Sequence, residues 1–177
     1  MHHESVWARR FIGVAIIQGA AAFVIAALML VLTLFGASFG ITSPSRIVAS
    51  GSAGTWMFVG FSGFLIVGVL GVGLSALFYH YIEVVRGQRY DGNYKLLAWL
   101  HLILMNVGAS GASWLFIVAG HVGGAAQLAG IPQAQVHERI VTFVLPIAGF
   151  MAVGAIGVFF GGIGYVLKWR KGSAGGA

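Results

Sequence analysis

Four long apolar runs constrain the fold of this chain more than any other feature. Each run is at least about 20 residues long, and no Asp, Glu, Lys or Arg lies deep within any of them. A helix needs about 20 apolar residues to cross a hydrocarbon core of about 30 Å. We therefore predict four transmembrane helices, at about residues 11–35, 55–82, 96–120 and 139–167.

The composition supports one membrane domain over residues 1–177. The chain is 59% hydrophobic and 8% charged, whereas about a quarter of the residues in a soluble domain are charged. Cysteine is absent, which excludes disulfides, iron–sulfur clusters and thiolate zinc sites. We expect an all-α fold, an integral membrane four-helix bundle.

The basic residues predict the orientation of these helices. Eight of the ten fall on one side of the predicted membrane, and only Arg46 and Arg139 fall on the other. Because cytoplasmic loops carry an excess of Lys and Arg, both termini and the 83–95 loop are expected in the cytoplasm. The net charge of +6 sits at the ends of apolar runs and forms no stripe, so we do not expect a nucleic-acid partner.

Small residues recur on several of the predicted helices. Gly157 and Gly161 form a GxxxG pair in the fourth, Gly71 and Ser75 lie one turn apart in the second, and Gly108 lies in the third. Such residues let helix backbones approach closely in lipid. The sequence does not decide whether these faces pack within the bundle or against a partner subunit.

Few residues in the predicted spans can carry chemistry. Intramembrane charges mark proton relays and ion paths, and their absence disfavours a pump or an ion transporter, although a path for a neutral solute stays open. Asn106 is expected to make a hydrogen bond between helices. We find no catalytic motif and no internal metal-ligand set. Residues 1–3, Met-His-His, could form an amino-terminal copper or nickel site or could have no ligand role.

Four histidines are the remaining candidates for a cofactor. His80 and His101 fall near the predicted cytoplasmic face, and His121 and His137 fall near the outer face. A small b-type cytochrome with two bis-histidine haems would place its ligands in this way, since neutral imidazole is a common axial ligand. The alternative is that these histidines only contact water, headgroups or neighbouring side chains at the interface.

The stretch from about residue 55 to residue 168 resembles the C-terminal helices of the haem-copper oxidase catalytic subunit. One helix ends in an aromatic–His–aromatic stretch, and the next opens with a histidine followed by Asn and Gly. The matching residues are Phe78, Tyr79, His80 and Tyr81; Gly87, Tyr90 and Asp91 in the loop; His101, Asn106 and Gly108; and Gly130, Ile131 and Pro132 before the last helix.

The chain departs from that family where the family binds its cofactors. The family's helix that corresponds to the second span carries a His-x-His pair that ligates both haems, but residues 58–63 here read Phe-Val-Gly-Phe-Ser-Gly. The resemblance therefore implies a non-catalytic relative in the plasma membrane of a prokaryote. We expect an accessory or structural subunit of a respiratory complex, most plausibly a haem-copper-type terminal oxidase, with other membrane subunits and lipid as its partners. The b-type cytochrome is the alternative.

Overall fold

The computed structural model describes residues 4–173, and these residues form helices and connectors without a β-strand. Four helices are long and apolar enough to cross a membrane. They are α1 (Val6–Phe35), α3 (residues 55–85), α4 (Gly92–Leu128) and α5 (Gln133–Ser173), with a short helix α2 (Pro44–Ala49) between the first two. The prediction of an all-helical chain with four long apolar helices is confirmed, and these helices suggest a multi-pass membrane protein.

The helices extend beyond the apolar runs that predict them. Most of the predicted 121–138 connector is helical, because α4 continues to Leu128 and α5 begins at Gln133. Gly130, at a φ of 76°, makes the turn between them in the left-handed region that favours glycine. The apolar length sets the part of a helix that suits lipid, whereas backbone hydrogen bonding continues until a residue such as Gly130 interrupts it.

Within α3, two α-helical segments alternate with two π-helical segments, Phe64–Gly71 and Tyr81–Val85. The wider π turn leaves some backbone carbonyls without their usual partner, and the Ser75 hydroxyl donates a hydrogen bond to the Gly71 carbonyl at 2.9 Å. The fourth long helix, α5, continues on both sides of Pro146.

The long helices pack mainly in chain order, α1 on α3, α3 on α4 and α4 on α5. The α4–α5 contact brings backbone against backbone. A Cβ added at Gly108 would lie 2.2 Å from the Gly154 nitrogen, and one added at Gly157 would lie 2.3 Å from the Met105 nitrogen. These glycines therefore serve contacts inside the bundle, which answers the question that the sequence leaves open for them.

The two ends of the bundle differ in chemistry. One end collects the start of α1, the 86–91 connector and the end of α5, where seven of the nine basic residues with described side chains are found together. At the other end α2 and residues 50–54 cover α4, and the Gln127 amide donates a hydrogen bond to the Ser50 carbonyl. The predicted grouping of basic residues at one end is thus present in the fold.

Candidate functional site

A groove opens between α3 and α5, with α4 as its floor, near the middle of the long helices. Its volume is about 500 Å³. We call it the small-residue groove, because six of its lining residues are Gly or Ala. The lining residues are Val59, Gly63, Val67, Met105, Gly108, Ala109, Ala112, Ser113, Phe116, Met151, Gly154, Ala155 and Val158. No charged side chain and no histidine belongs to this lining.

The groove follows from where the small residues fall. Close contact of Gly108 with Gly154 draws α5 onto one side of α4, and Gly60 lies against the Ser113 carbonyl on the other side. Both flanking helices therefore sit deep on α4, and the space between them is not filled by large side chains. Such a slot suits an apolar occupant, since its walls present almost no hydrogen-bonding group.

The structure places the four candidate histidines in different surroundings. His80 and His137 are exposed, His121 is half-buried, and only His101 is buried, at 2% exposure. No contact described here brings any two of them together. The expectation that His80, His121 and His137 meet their surroundings at the interface stays a prediction.

His101 lies in a cluster of aromatic side chains at the basic end. The Tyr79 hydroxyl is 3.3 Å from its Nδ1, and the Tyr165 hydroxyl is 3.5 Å from the same atom. The Phe11 ring lies 5.0 Å away between centroids. The backbone at Gly161 is so close that an added Cβ would be 2.3 Å from Nδ1.

This packing tests whether haem fits at His101. An axial ligand must direct one imidazole nitrogen toward a porphyrin that lies in an open slot. Here the imidazole is 2% exposed, with the Phe11, Tyr79 and Tyr165 rings and the Gly161 backbone packed around it, so almost none of its surface is open to a porphyrin. The residues around His101 do not fit a haem, and we derive no electron transfer through one.

A polar contact joins α1 to α4 within their apolar stretches. The Gln18 amide donates to Asn106 Oδ1 at 2.7 Å, which confirms the predicted hydrogen bond between helices. Asn106 in turn donates to the Leu102 carbonyl. Buried Gln18 Oε1 has no hydrogen-bond partner among the described residues. Within residues 4–173 no group of three His, Asp or Glu side chains could hold a metal ion, and Met1–His3 lie outside the described range.

Sequence patterns did not identify the polar contacts of the basic end. Lys168 is 6% exposed, and its ammonium donates to the Arg89 carbonyl and pairs with the Asp91 carboxylate at 3.1 Å. It also lies 4.3 Å from the centre of the Tyr94 ring. From sequence, a lysine that follows an apolar run is expected to contact lipid headgroups. Only the structure shows that Lys168 holds the 86–91 connector against α5.

Tyr90 is the second buried polar residue of this end. It is 6% exposed and packs edge-on against Tyr79 at 4.8 Å between centroids. Burial raises the pKa of the Tyr90 phenol, and the nearby Tyr165 and Glu83 raise it further. The Tyr90 hydroxyl finds no hydrogen-bond partner in the part of the chain that the structure describes.

Comparison with known proteins adds no relative to this description: no protein-family model, no curated protein and no solved structure matches the chain.

Proposed function

We propose that this chain is an accessory, structural subunit of a membrane respiratory complex of the haem-copper terminal oxidase type. It would span the plasma membrane of a prokaryote four times, with both termini in the cytoplasm. Its task would be to pack against a larger membrane subunit. The observation that carries the proposal is the small-residue groove, an open slot that the chain's own side chains do not fill.

The groove supports packing against another protein for a physical reason. Lipid gives helices little hydrophobic drive to associate, so they associate where small residues permit close van der Waals contact. The exposed Ala155 and the half-buried Ala109 present such a surface on two adjacent helices. A partner helix could insert large apolar side chains between them.

The membrane topology rests on apolar length and on charge. Large apolar side chains such as Leu145, at 81% exposure, and Phe23, at 74%, cover the outer faces of the long helices. Contact of this apolar surface with water would be unfavourable, whereas contact with lipid acyl chains is favourable. The concentration of Lys and Arg at one end supports placing that end in the cytoplasm.

The respiratory partner rests on the resemblance of residues 55–168 to the C-terminal helices of the oxidase catalytic subunit. The resembling residues Tyr79, Tyr90 and His101 belong to one packed cluster at the basic end. Since the haem-ligating pair of that family is absent and haem does not fit at His101, a packing role agrees better with these residues than electron transfer does.

Purification from native membranes tests the proposal. An affinity-tagged chain would be extracted in a mild detergent, and its partners identified by mass spectrometry and by a reduced-minus-oxidised spectrum. We expect a stoichiometric larger membrane subunit that contributes haem absorbance. Recovery of this chain from native membranes without any other membrane subunit would contradict the proposal.

A groove variant makes this test specific. Ala155→Leu fills the slot with a side chain on an exposed position, so the chain's own fold should tolerate it. Overpacking of a contact costs about 1–3 kcal/mol, and we expect the partner to be lost or strongly depleted. Ala26→Leu makes the same change at an exposed site on α1 and should leave the partner bound. Equal recovery with both variants would show that the groove is not the contact.

A further inference from the structure

A charged pocket of about 650 Å³ lies at the basic end, where α1 and α4 begin beside the connector. It differs from the small-residue groove in position and in chemistry. Its lining residues are Glu4, Val6, Trp7, Arg10, Glu83, Val84, Gly87, Arg89, Tyr90 and Lys95. Three of these side chains are cationic and two are anionic.

Arg10 is the best-placed cation of this pocket. Its guanidinium carbon lies 4.6 Å from the centre of the Trp7 ring and 4.6 Å from that of the Trp99 ring. The two rings hold the side chain in one place by cation–π attraction. No residue within 4–173 accepts a hydrogen bond from this guanidinium or forms an ion pair with it, so its N–H groups remain available to an anion.

The two acidic residues of the lining already have partners. Glu4 pairs with Arg9 at 3.6 Å. Glu83 accepts hydrogen bonds from the Ser5 hydroxyl and from the Trp7 backbone N–H, the latter at 3.1 Å. It thus neutralises the positive end of the α1 dipole. Glu83 keeps its negative charge because its donors are neutral, but the three cations of the lining still outnumber the two carboxylates, so the net charge that a ligand meets is positive.

An apolar strip leads from the pocket toward the middle of α4. Lys95, Trp99, Ile103 and Val107 follow one another at intervals of four residues and so lie on one face of the helix. Trp99, Ile103 and Val107 are 37%, 51% and 49% exposed. The face thus presents a cation, an amphipathic ring and two aliphatic side chains in the order in which a lipid presents its headgroup, glycerol and acyl chain.

We propose that this pocket binds the phosphate of an anionic phospholipid, with Arg10 and Lys95 on the phosphate and the acyl chain along the Trp99–Val107 strip. The planar guanidinium fork matches two phosphate oxygens, and the lysine adds a point charge. A basic pocket between helices at the cytoplasmic face is the arrangement that selects acidic headgroups. The inference rests on the membrane topology of the proposed function and does not require a respiratory partner.

Native mass spectrometry of the purified, partner-free full chain in a neutral detergent tests the site. The probes are phosphatidylglycerol and phosphatidylcholine with identical acyl chains. Glycerol 1-phosphate and inorganic phosphate are added separately as competitors. The variants are Arg10→Gln and Lys95→Gln, and Arg46→Gln at the opposite end of the bundle is the matched control. Lys95 is exposed, so its replacement reports on binding even if Arg10→Gln disturbs the tryptophan contacts.

We expect tighter binding of phosphatidylglycerol than of phosphatidylcholine. Each pocket variant should weaken the phosphatidylglycerol complex about fivefold, whereas Arg46→Gln leaves it unchanged. Equal affinity for the two lipids, or an unchanged affinity in Lys95→Gln, would overturn the site. Displacement of the lipid by an equimolar soluble phosphate would overturn the lipid assignment and indicate a free anion. Extraction of the chain from membranes by alkaline carbonate would instead refute the insertion into the membrane on which this inference rests, so the two failures are distinguishable.

Discussion

Replacing Gly157 by alanine tests how closely α4 and α5 are packed. The new Cβ would lie 2.3 Å from the Met105 nitrogen and 2.8 Å from the Leu104 carbonyl carbon. Both are backbone atoms of a helix and cannot rotate away. Ordinary contact begins at 3.4 Å, so the two helices must separate by about 1 Å, the range in which a gap of 0.5–1 Å forfeits a quarter to a half of the contact energy.

The expected loss follows from two opposing effects. Overpacking costs about 1–3 kcal/mol, and replacing a helical glycine by alanine returns about 1 kcal/mol of backbone entropy and propensity. The difference is a fall in the free energy of unfolding of up to about 2 kcal/mol. Unfolding by SDS in mixed micelles, followed by tryptophan fluorescence and circular dichroism, measures this difference.

The same helix supplies the control for this prediction. Gly162 is exposed, and nothing lies within 4 Å of a Cβ added there. Gly162→Ala should therefore leave the free energy of unfolding unchanged or raise it slightly. If Gly157→Ala and Gly162→Ala are equally stable, the close backbone contact between α4 and α5 is not what holds this pair together.

Three further substitutions address the basic end. Lys168→Met removes the buried ammonium that donates to the Arg89 carbonyl and pairs with Asp91, and should lower the free energy of unfolding by about 1–3 kcal/mol, whereas Arg170→Met, at an exposed site, should not change it. Glu83→Gln removes the negative charge at the start of α1, and unfolding in SDS should show a loss of about 0.5–2 kcal/mol that shrinks at high salt. Because the pKa of Tyr90 is raised in the folded chain, the unfolded chain loses its proton first, and stability should fall as the pH rises above about 10. Tyr90→Phe should flatten that fall in an unfolding series between pH 8 and 11, and an unchanged slope would contradict the assignment.

The number of long helices and the clustering of basic residues at one end could be predicted from the apolar runs and the charges of the sequence. The four long helices follow from runs that suit a hydrocarbon core, and all the described basic residues except Arg46 and Arg139 do meet at one end. A hydrogen bond between helices at Asn106 was also predictable, because an amide within an apolar run must find a partner, but that the partner is Gln18 comes from the structure. The ends of the helices could not be predicted from the sequence, since they depend on local turns such as the one at Gly130.

Which face of each helix is buried could not be predicted from the sequence of this chain. In a soluble helix a stripe of apolar residues marks the face that packs inward. In α5 every face is apolar, so Gly157 and Gly162 look alike in sequence although one meets a backbone and the other meets open space. For the same reason the residues that flank His101 in the sequence do not predict that three aromatic rings pack around it.

The shape of the small-residue groove limits what can occupy it. At one end of the bundle, Tyr81 of α3 stacks on Trp169 of α5 at 5.3 Å between centroids. At the other, Ala53, just before α3, joins Ile140 of α5 in one buried cluster. Going along the bundle axis, α3 and the segment just before it thus contact α5 on either side of the groove, and the two helices separate only between these contacts. A partner helix of the kind that we propose could therefore not run along the whole slot and would have to cross the opening, inserting a few bulky side chains from the side. A single substitution such as Ala155→Leu would then be enough to block the proposed contact.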